Sequence, residues 1–223
     1  MIKSISLTNQ PRQRLMDVGI RSLSDAELLA LVLRHGIPGK NVIIYAQELL
    51  SEHGGLRGLM NLEYQQLERI KGLGQARIST LLAINEIAKR QLREEIIGKN
   101  YVQDPESVMN YLYLSLRDKK REVVKIIFLN KANRIIKDYD IFQGTVDESV
   151  IHPREILRMA LDVSATGLVV VHNHPSGRVQ PSLADRSITR KIQQACLMFN
   201  VSLLDHLIIG DNQYFSFAVE GLL

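Results

Sequence analysis

Apolar positions along the 223-residue chain change their period once. In roughly the first 97 residues they recur at helical spacing, three and four apart; from Glu122 onward they come in short alternating or continuous runs. Met1 to Gly19 is polar and irregular, and Pro11-Arg12-Gln13-Arg14 reads as an exposed arm or short helix. Ser24-Asp25-Ala26-Glu27 predicts a helix start, with Ser24 as cap and Glu27 closing a capping box. Leu23, Leu28, Leu31 and Val32 continue its apolar face until His35-Gly36-Ile37-Pro38-Gly39 stops it. A second helix is expected from about Asn41 to Glu52, ending at Gly54-Gly55. Shorter helices follow over Leu56–Met60 and Glu63–Ile70, then a longer one from Gln75 to about Glu95.

Gly98-Lys99-Asn100 breaks the periodicity, which places a domain boundary between an all-α part, residues 1–98, and a second part, residues 99–223. Asp104-Pro105-Glu106 restarts a helix, with Asp104 as cap and Pro105 at the first helical position. Val123 to Leu129 and Arg134 to Phe142 read as strands joined by a tight turn at Asn130 to Asn133. A helix lies within Glu148 to Asp162, entered at His152-Pro153. The apolar run 167–172, a helix over 183–199, a strand from Val201 to Ile209 and a short strand from Tyr214 to Phe217 complete the pattern. Interleaved strands and helices predict an α/β sandwich with a mixed sheet.

Composition narrows the class. Apolar content of 45% and charged content of 23% belong to an ordinary globular chain. The net charge of +4 leans to the first 97 residues, where 13 Lys/Arg face 10 Asp/Glu, against 15 and 14 in the rest. That surplus permits nucleic-acid contact without demonstrating it. Cys196 is the single cysteine, which excludes an intramolecular disulfide and every multi-cysteine zinc site; it reads as a small core residue on a helix. No 18-residue apolar span and no apolar leader are present, so a soluble, cytoplasmic protein with no membrane partner is expected.

The candidate chemistry sits in His172-Asn173-His174-Pro175-Ser176-Gly177-Arg178-Val179-Gln180-Pro181-Ser182-Leu183-Ala184-Asp185. Residues two apart on an extended segment point to one side, so His172 and His174 aim both imidazoles at one place. Asp185, in the first turn of the next helix, adds a carboxylate. Two imidazoles, one carboxylate and an open position suit a catalytic zinc carrying water. A lone histidine at a strand end is ordinarily a polar residue at a sheet rim; a pair followed by a Pro/Gly loop and an aspartate is harder to read that way. Ser182 reads as a helix cap. His206, in an apolar strand, reads as a satisfied rim histidine, His152 as a turn residue, and His35 and His53 as turn positions without a role.

The spacing His172-x-His174, seven residues, Ser182, two residues, Asp185 resembles the JAMM motif of the JAB/MPN metalloprotease domain, and HNHPSG…PSxAD is similar to its RadC-like branch. The resemblance implies an MPN, cytidine-deaminase-like sandwich over about residues 100–223 and a Zn2+-dependent hydrolase acting on a peptide or isopeptide bond of an unidentified protein substrate. It assigns the zinc to His172, His174 and Asp185, the general base to Glu122, and oxyanion stabilisation to Ser182. The residues alone do not choose Glu122 over Glu148 or Glu155. The deubiquitinating form carries Ser or Thr between the two histidines, where this chain has Asn173; that position alternates away from the ligands and bears on the substrate.

Lys71-Gly72-Leu73-Gly74-Gln75-Ala76-Arg77 resembles the hairpin of a helix-hairpin-helix DNA-binding motif, and residues 10–95 are similar to the N-terminal region of RadC-like proteins. Glycines let a backbone approach phosphate, helix N-terminal amides bind the anion, and Lys71 and Arg77 add charge. Lys71, Gly72, Gly74 and Arg77 are therefore candidate contacts to duplex or branched DNA. The alternative is a structural αα-turn with Gly72 as a cap. Gly36-Ile37-Pro38-Gly39-Lys40 looks like a degenerate first copy serving as scaffold. A nucleobase deaminase needs H-x-E and P-C-x-x-C, which His174 and the single cysteine exclude. A nuclease ordinarily wants a carboxylate-rich two-metal site. A DNA-repair or recombination protein with a structural or vestigial zinc site is the remaining alternative.

Overall fold

A computed structural model describes residues 10–143 and 152–223, so Glu148 and Met1 to Asn9 fall outside the described residues. The chain divides into two compact units between Ala88 and Lys89, inside a helix and upstream of the Gly98 break.

The first unit is helical: α1 (Pro11–Val18), α2 (Asp25–Leu33), α3 (Val42–His53), α4 (Gly55–Met60), α5 (Tyr64–Leu67) and the first part of α6 (Gln75–Ile96). Ser24 and Glu27 form the expected reciprocal capping box on α2, and Asn41 accepts from the backbone of Ile43 and Ile44 to start α3. Leu29, Leu33, Tyr45, Leu49, Leu59, Leu67, Ile78 and Leu81 form the core. The helix expected over Glu63–Ile70 is only α5. Beyond it the backbone bonds Arg69 to Gln66, Ile70 to Leu67 and Leu73 to Ile70, a tightening to three-residue turns that leads into Gly72.

The second unit carries α7 (Pro105–Leu116), β1 (Val123–Leu129), β2 (Ile135–Gln143), α8 (Pro153–Asp162), β3 (Gly167–Asn173), α9 (Leu183–Met198), β4 (Ser202–Ile209) and β5 (Tyr214–Ser216). The sheet order is β2-β1-β3-β4-β5. β1 is antiparallel to β2 and β3, β3 and β4 run parallel through the α9 crossover, and β5 is antiparallel to β4. The mixed sheet is the predicted one.

Alternation along the strands makes two cores. Val123, Ile127, Leu129, Val169, Val171, Leu207 and Ile209 pack with α7 residues Val108, Tyr111, Leu112 and Leu116. Val124, Ile126, Phe128, Leu168 and Val170 pack on the other face with Ile156, Leu157 and Ala160 of α8 and Ile192 and Cys196 of α9. Cys196 is a buried free thiol, as expected of a core residue, and burial raises its pKa to about 11. Every residue of β1 and β3 is buried. That double burial hides the alternation in the sequence, yet it sets the site: His172 has the parity of Leu168 and Val170 and faces α9, while Asn173 has the parity of Val169 and Val171 and faces α7. Among the described residues no helix is long and apolar enough to cross a membrane.

Candidate metal centre

Three elements build the centre. β3 delivers His172 at its end, and the strand direction carries on for one more residue because the His174 amide donates to the Ile209 carbonyl of β4 at 3.0 Å. α9 delivers Asp185 in its first turn. The loop between them is pinned at Gly177, whose carbonyl accepts from the Asp211 amide (3.1 Å) and the Gln213 side chain (3.1 Å). Gly177 has φ +76° and its Cβ position would lie 3.3 Å from Asp211, so a side chain there is strained and crowded.

The ligand-capable atoms of His172, His174 and Asp185 all lie within 4.8 Å of one another. His172 Nε2 is 3.0 Å from His174 Nε2 and 3.3 Å from Asp185 Oδ1, and His174 Nε2 is 3.5 Å from Asp185 Oδ2. His174 Nδ1 lies 2.8 Å from the Arg178 carbonyl. A carbonyl only accepts, so Nδ1 carries the proton, and in the neutral ring Nε2 presents a bare lone pair to the centre. With Nε2 of His172 bare as well, opposed lone pairs beside a carboxylate would repel unless a cation lay among them. One such cation is a proton: the hydrogen bond to Asp185 raises the His174 pKa above its usual value, against the opposing effect of burial. A divalent metal is the other, and two imidazoles with a carboxylate are a donor set that zinc accepts.

Asp185 remains ionised. Burial acts to raise its pKa, but the facing His172 and His174 rings, when they carry a proton on Nε2, and the Ser182 hydroxyl outweigh this and hold it far below the carboxylate range. Its Oδ2 accepts from the Ser182 amide (2.7 Å) and hydroxyl (2.7 Å), while its own amide donates to Ser182 Oγ (3.1 Å). Ser182 is thus the cap of α9 in a reciprocal capping box, and its hydroxyl proton is directed at the carboxylate.

Glu122 immediately precedes β1, with Oε1 3.9 Å from His172 Nε2 and its side chain 40% exposed. Glu155, the competing carboxylate, lies on α8 and bonds Arg158 at 3.2 Å. Asn173 explains how Glu122 is placed. Fully buried on the opposite sheet face, it accepts from the Val123 amide (2.8 Å) and donates to the carbonyls of Lys119 and Arg121 (3.2 Å each). The residue between the two histidines therefore ties down the backbone on both sides of Glu122.

Two further residues were missed in the sequence. His206, expected at a rim, is completely buried, because parallel pairing sets it opposite Val170 on the sheet face that His172 shares. Its Nε2 lies 2.8 Å from His172 Nδ1 and its Nδ1 2.6 Å from Thr189 Oγ1. It stacks on Phe217, and burial, aided by nearby His172, lowers its pKa to about 3, so it is neutral. Thr189 carried no signal beyond a polar position on a polar helix. His152 is the N-cap position of α8, without a side-chain capping bond. His53 ends α3 rather than lying in a turn, while His35 lies past the end of α2.

The hairpin of the first unit is arranged differently. Lys71, Gly72 and Gly74 are exposed. Gly72 has φ +94°, and its Cβ position would meet Ile37 at 2.5 Å, so glycine is required by packing as well as by the turn. Arg77 donates to the carbonyls of Gly72 (2.7 Å), Gly36 (3.1 Å) and His35, and Tyr45 donates to the Lys71 carbonyl (2.9 Å). Arg77 thereby ties the Gly36–Lys40 and Lys71–Gly74 loops together, a structural use of a side chain that the sequence suggested for DNA.

Family models agree with this division. Residues 102–222 match the RadC-like JAB domain and residues 2–79 match the UPF0758 N-terminal family. A UPF0758 protein of Vibrio vulnificus strain YJ016 is 42% identical over 220 residues, covering 99% of this chain and 98% of the relative. One from Pseudoalteromonas translucida is 40% identical over 222 residues, covering 100% and 99%. One from Acidovorax sp. strain JS42 is 39% identical over 236 residues, covering 100% and 99%. With the ligand spacing, the mixed sheet and full-length similarity in agreement, the chain belongs to the RadC-like JAB domain family and its UPF0758 proteins.

Proposed function

We propose that the second unit is a zinc-dependent hydrolase of peptide or isopeptide bonds. The observation that carries this reading is the convergence of His172, His174 and Asp185 within 4.8 Å, with the Glu122 carboxylate 3.9 Å from His172. Zinc bound by those three residues would supply Lewis acidity and make water a nucleophile at neutral pH. Every other step falls to the protein. Glu122, half exposed at the mouth of the centre, accepts a proton from the attacking water and returns it to the leaving amine. Asp185 and His174 hold their charge and tautomer through Ser182 and the Arg178 carbonyl. For Ser182 to stabilise an oxyanion, its hydroxyl must exchange the Asp185 carboxylate for substrate oxygen.

The test separates chemistry from binding. Purified Glu122→Gln is expected to keep wild-type zinc content while cleavage of a peptide library, read by mass spectrometry, falls roughly a hundredfold or more. Zinc-loaded wild type that cleaves no peptide or isopeptide bond, or Glu122→Gln with undiminished cleavage, would contradict the reading.

A further inference from the structure

Thr189 lies in mid-helix, and its hydroxyl bonds the Asp185 carbonyl four residues back at 2.6 Å. Such back-bonding is common and by itself has no functional meaning. The second partner changes that: the same oxygen is 2.6 Å from Nδ1 of the buried His206, whose Nε2 is 2.8 Å from Nδ1 of His172. Donor and acceptor roles along this chain follow from the Thr189 donation to the Asp185 carbonyl. The single hydroxyl proton of Thr189 is donated to the Asp185 carbonyl. Thr189 Oγ1 must then accept, so Nδ1 of His206 carries a proton, and the ring, completely buried and bonded to no carboxylate, carries no second one. His206 Nε2 is consequently bare and accepts from His172 Nδ1–H. His172 Nε2 is left without a proton, facing His174 and Asp185.

We propose that Thr189 and His206 are positioning residues that fix the tautomer of His172 and so make its Nε2 a metal donor. The relay starts at the backbone carbonyl of Asp185, a second proposed ligand, and ends on the ring of His172, joining α9, β4 and β3 in one hydrogen-bonded circuit. Opposing any one bond requires reversing the others or leaving a buried polar atom unpaired. Ring stacking on Phe217 at 4.8 Å keeps His206 in plane with this task. The inference rests on the metal-binding half of the proposed function and not on cleavage.

Nitrogen-15 NMR of the imidazole rings tests it, in metal-free and zinc-loaded full-length protein, together with zinc affinity. Wild type is expected to show His172 protonated at Nδ1 in both states. Thr189→Val, of nearly equal shape, is expected to lose that single tautomer and to bind zinc roughly ten- to hundredfold more weakly. Thr189→Ser, which keeps the hydroxyl, is expected to restore both. His172 protonated at Nε2 in metal-free wild type, or zinc held through His172 Nδ1, overturns the proposal whatever the variants do. So does a Thr189→Val protein with wild-type tautomer and affinity, or a Thr189→Ser protein as impaired as Thr189→Val. Should Thr189→Val fail to fold, the wild-type spectrum and Thr189→Ser decide. A protein that passes these tests but cleaves nothing loses the hydrolase reading and keeps the relay.

Discussion

The sheet of the second unit carries a buried polar cluster on each face, and the two are built on opposite principles. On the α7 face, Lys125 meets Asp138 at 2.8 Å and Asp140 at 2.6 Å, Arg93 meets Asp138 at 2.5 Å, and the Tyr111 hydroxyl bonds Asp138. Cations and anions answer each other there, and every charge has a donor or acceptor from within the chain. On the α9 face, His172, His174 and Asp185 present acceptors to one another, and the donors around them serve only to orient those acceptors. The first cluster neutralises itself; the second is short of positive charge and could hold a cation. Burial and perturbed titration are common to both clusters; the uncompensated donor set is what separates them.

The largest test of the structural half is Asp138→Asn. Burial alone would raise the Asp138 pKa, but Lys125, Tyr111 and Arg93 together hold it below its ordinary 3.8. A carboxylate with a depressed folded pKa contributes stability above its unfolded pKa, and that contribution is lost as pH falls through the folded value. Asp138→Asn leaves Lys125 buried against reduced charge and is expected to cost about 3 kcal/mol in urea unfolding at pH 7. The difference from wild type should shrink as the pH falls below 3.8, with zinc affinity unchanged throughout. Loss of zinc in this variant would erase the distinction between the two faces.

The open cluster should respond to pH in the opposite sense. In metal-free protein the raised His174 pKa stabilises the fold below the ordinary value of 6.5, and that contribution fades as pH rises through the folded value. Zinc needs the bare nitrogen, so protons compete with it. Titration calorimetry is expected to show zinc affinity falling up to roughly tenfold per pH unit as pH drops through the folded His174 pKa and below 6.5. A flat profile across that range would mean that the ring does not bind the ion through Nε2.

The smallest effect is expected of Ser182→Ala, which removes half of the α9 capping box. A loss of about 1 kcal/mol in thermal unfolding is the cost of such a cap. Zinc content at saturating metal should remain at the wild-type level, since no proposed ligand is deleted.

Much of this was legible from residue pattern. The caps at Ser24, Asp104 and Ser182 were readable because a short side chain followed three residues on by a carboxylate, or directly by Pro105, has a local meaning that tertiary structure did not override. The convergence of His172, His174 and Asp185 was readable because strand parity and a helix's first turn are also local. His206 was not, since its position depends on which strand pairs with β3 and in which register. Thr189 was invisible because its partner lies on another element, and Asn173 because both faces of β3 are buried, so the face opposite the ligands gave no sign of its own polar bonds. Arg77 shows a partner that the pattern did not suggest: a cation beside glycines suggests phosphate, and backbone carbonyls from two loops also accept from it at short range.

The proposed function stands or falls on a cation held among three acceptors, and zinc stoichiometry measures that directly. Full-length protein stripped with a chelator, dialysed against excess zinc and then freed of unbound metal is expected to retain one zinc per chain by atomic emission. The His172→Ala and Asp185→Ala proteins, folded by circular dichroism, are expected to retain none. A folded wild type that takes up no zinc, or a His172→Ala protein that keeps a full equivalent, would contradict it.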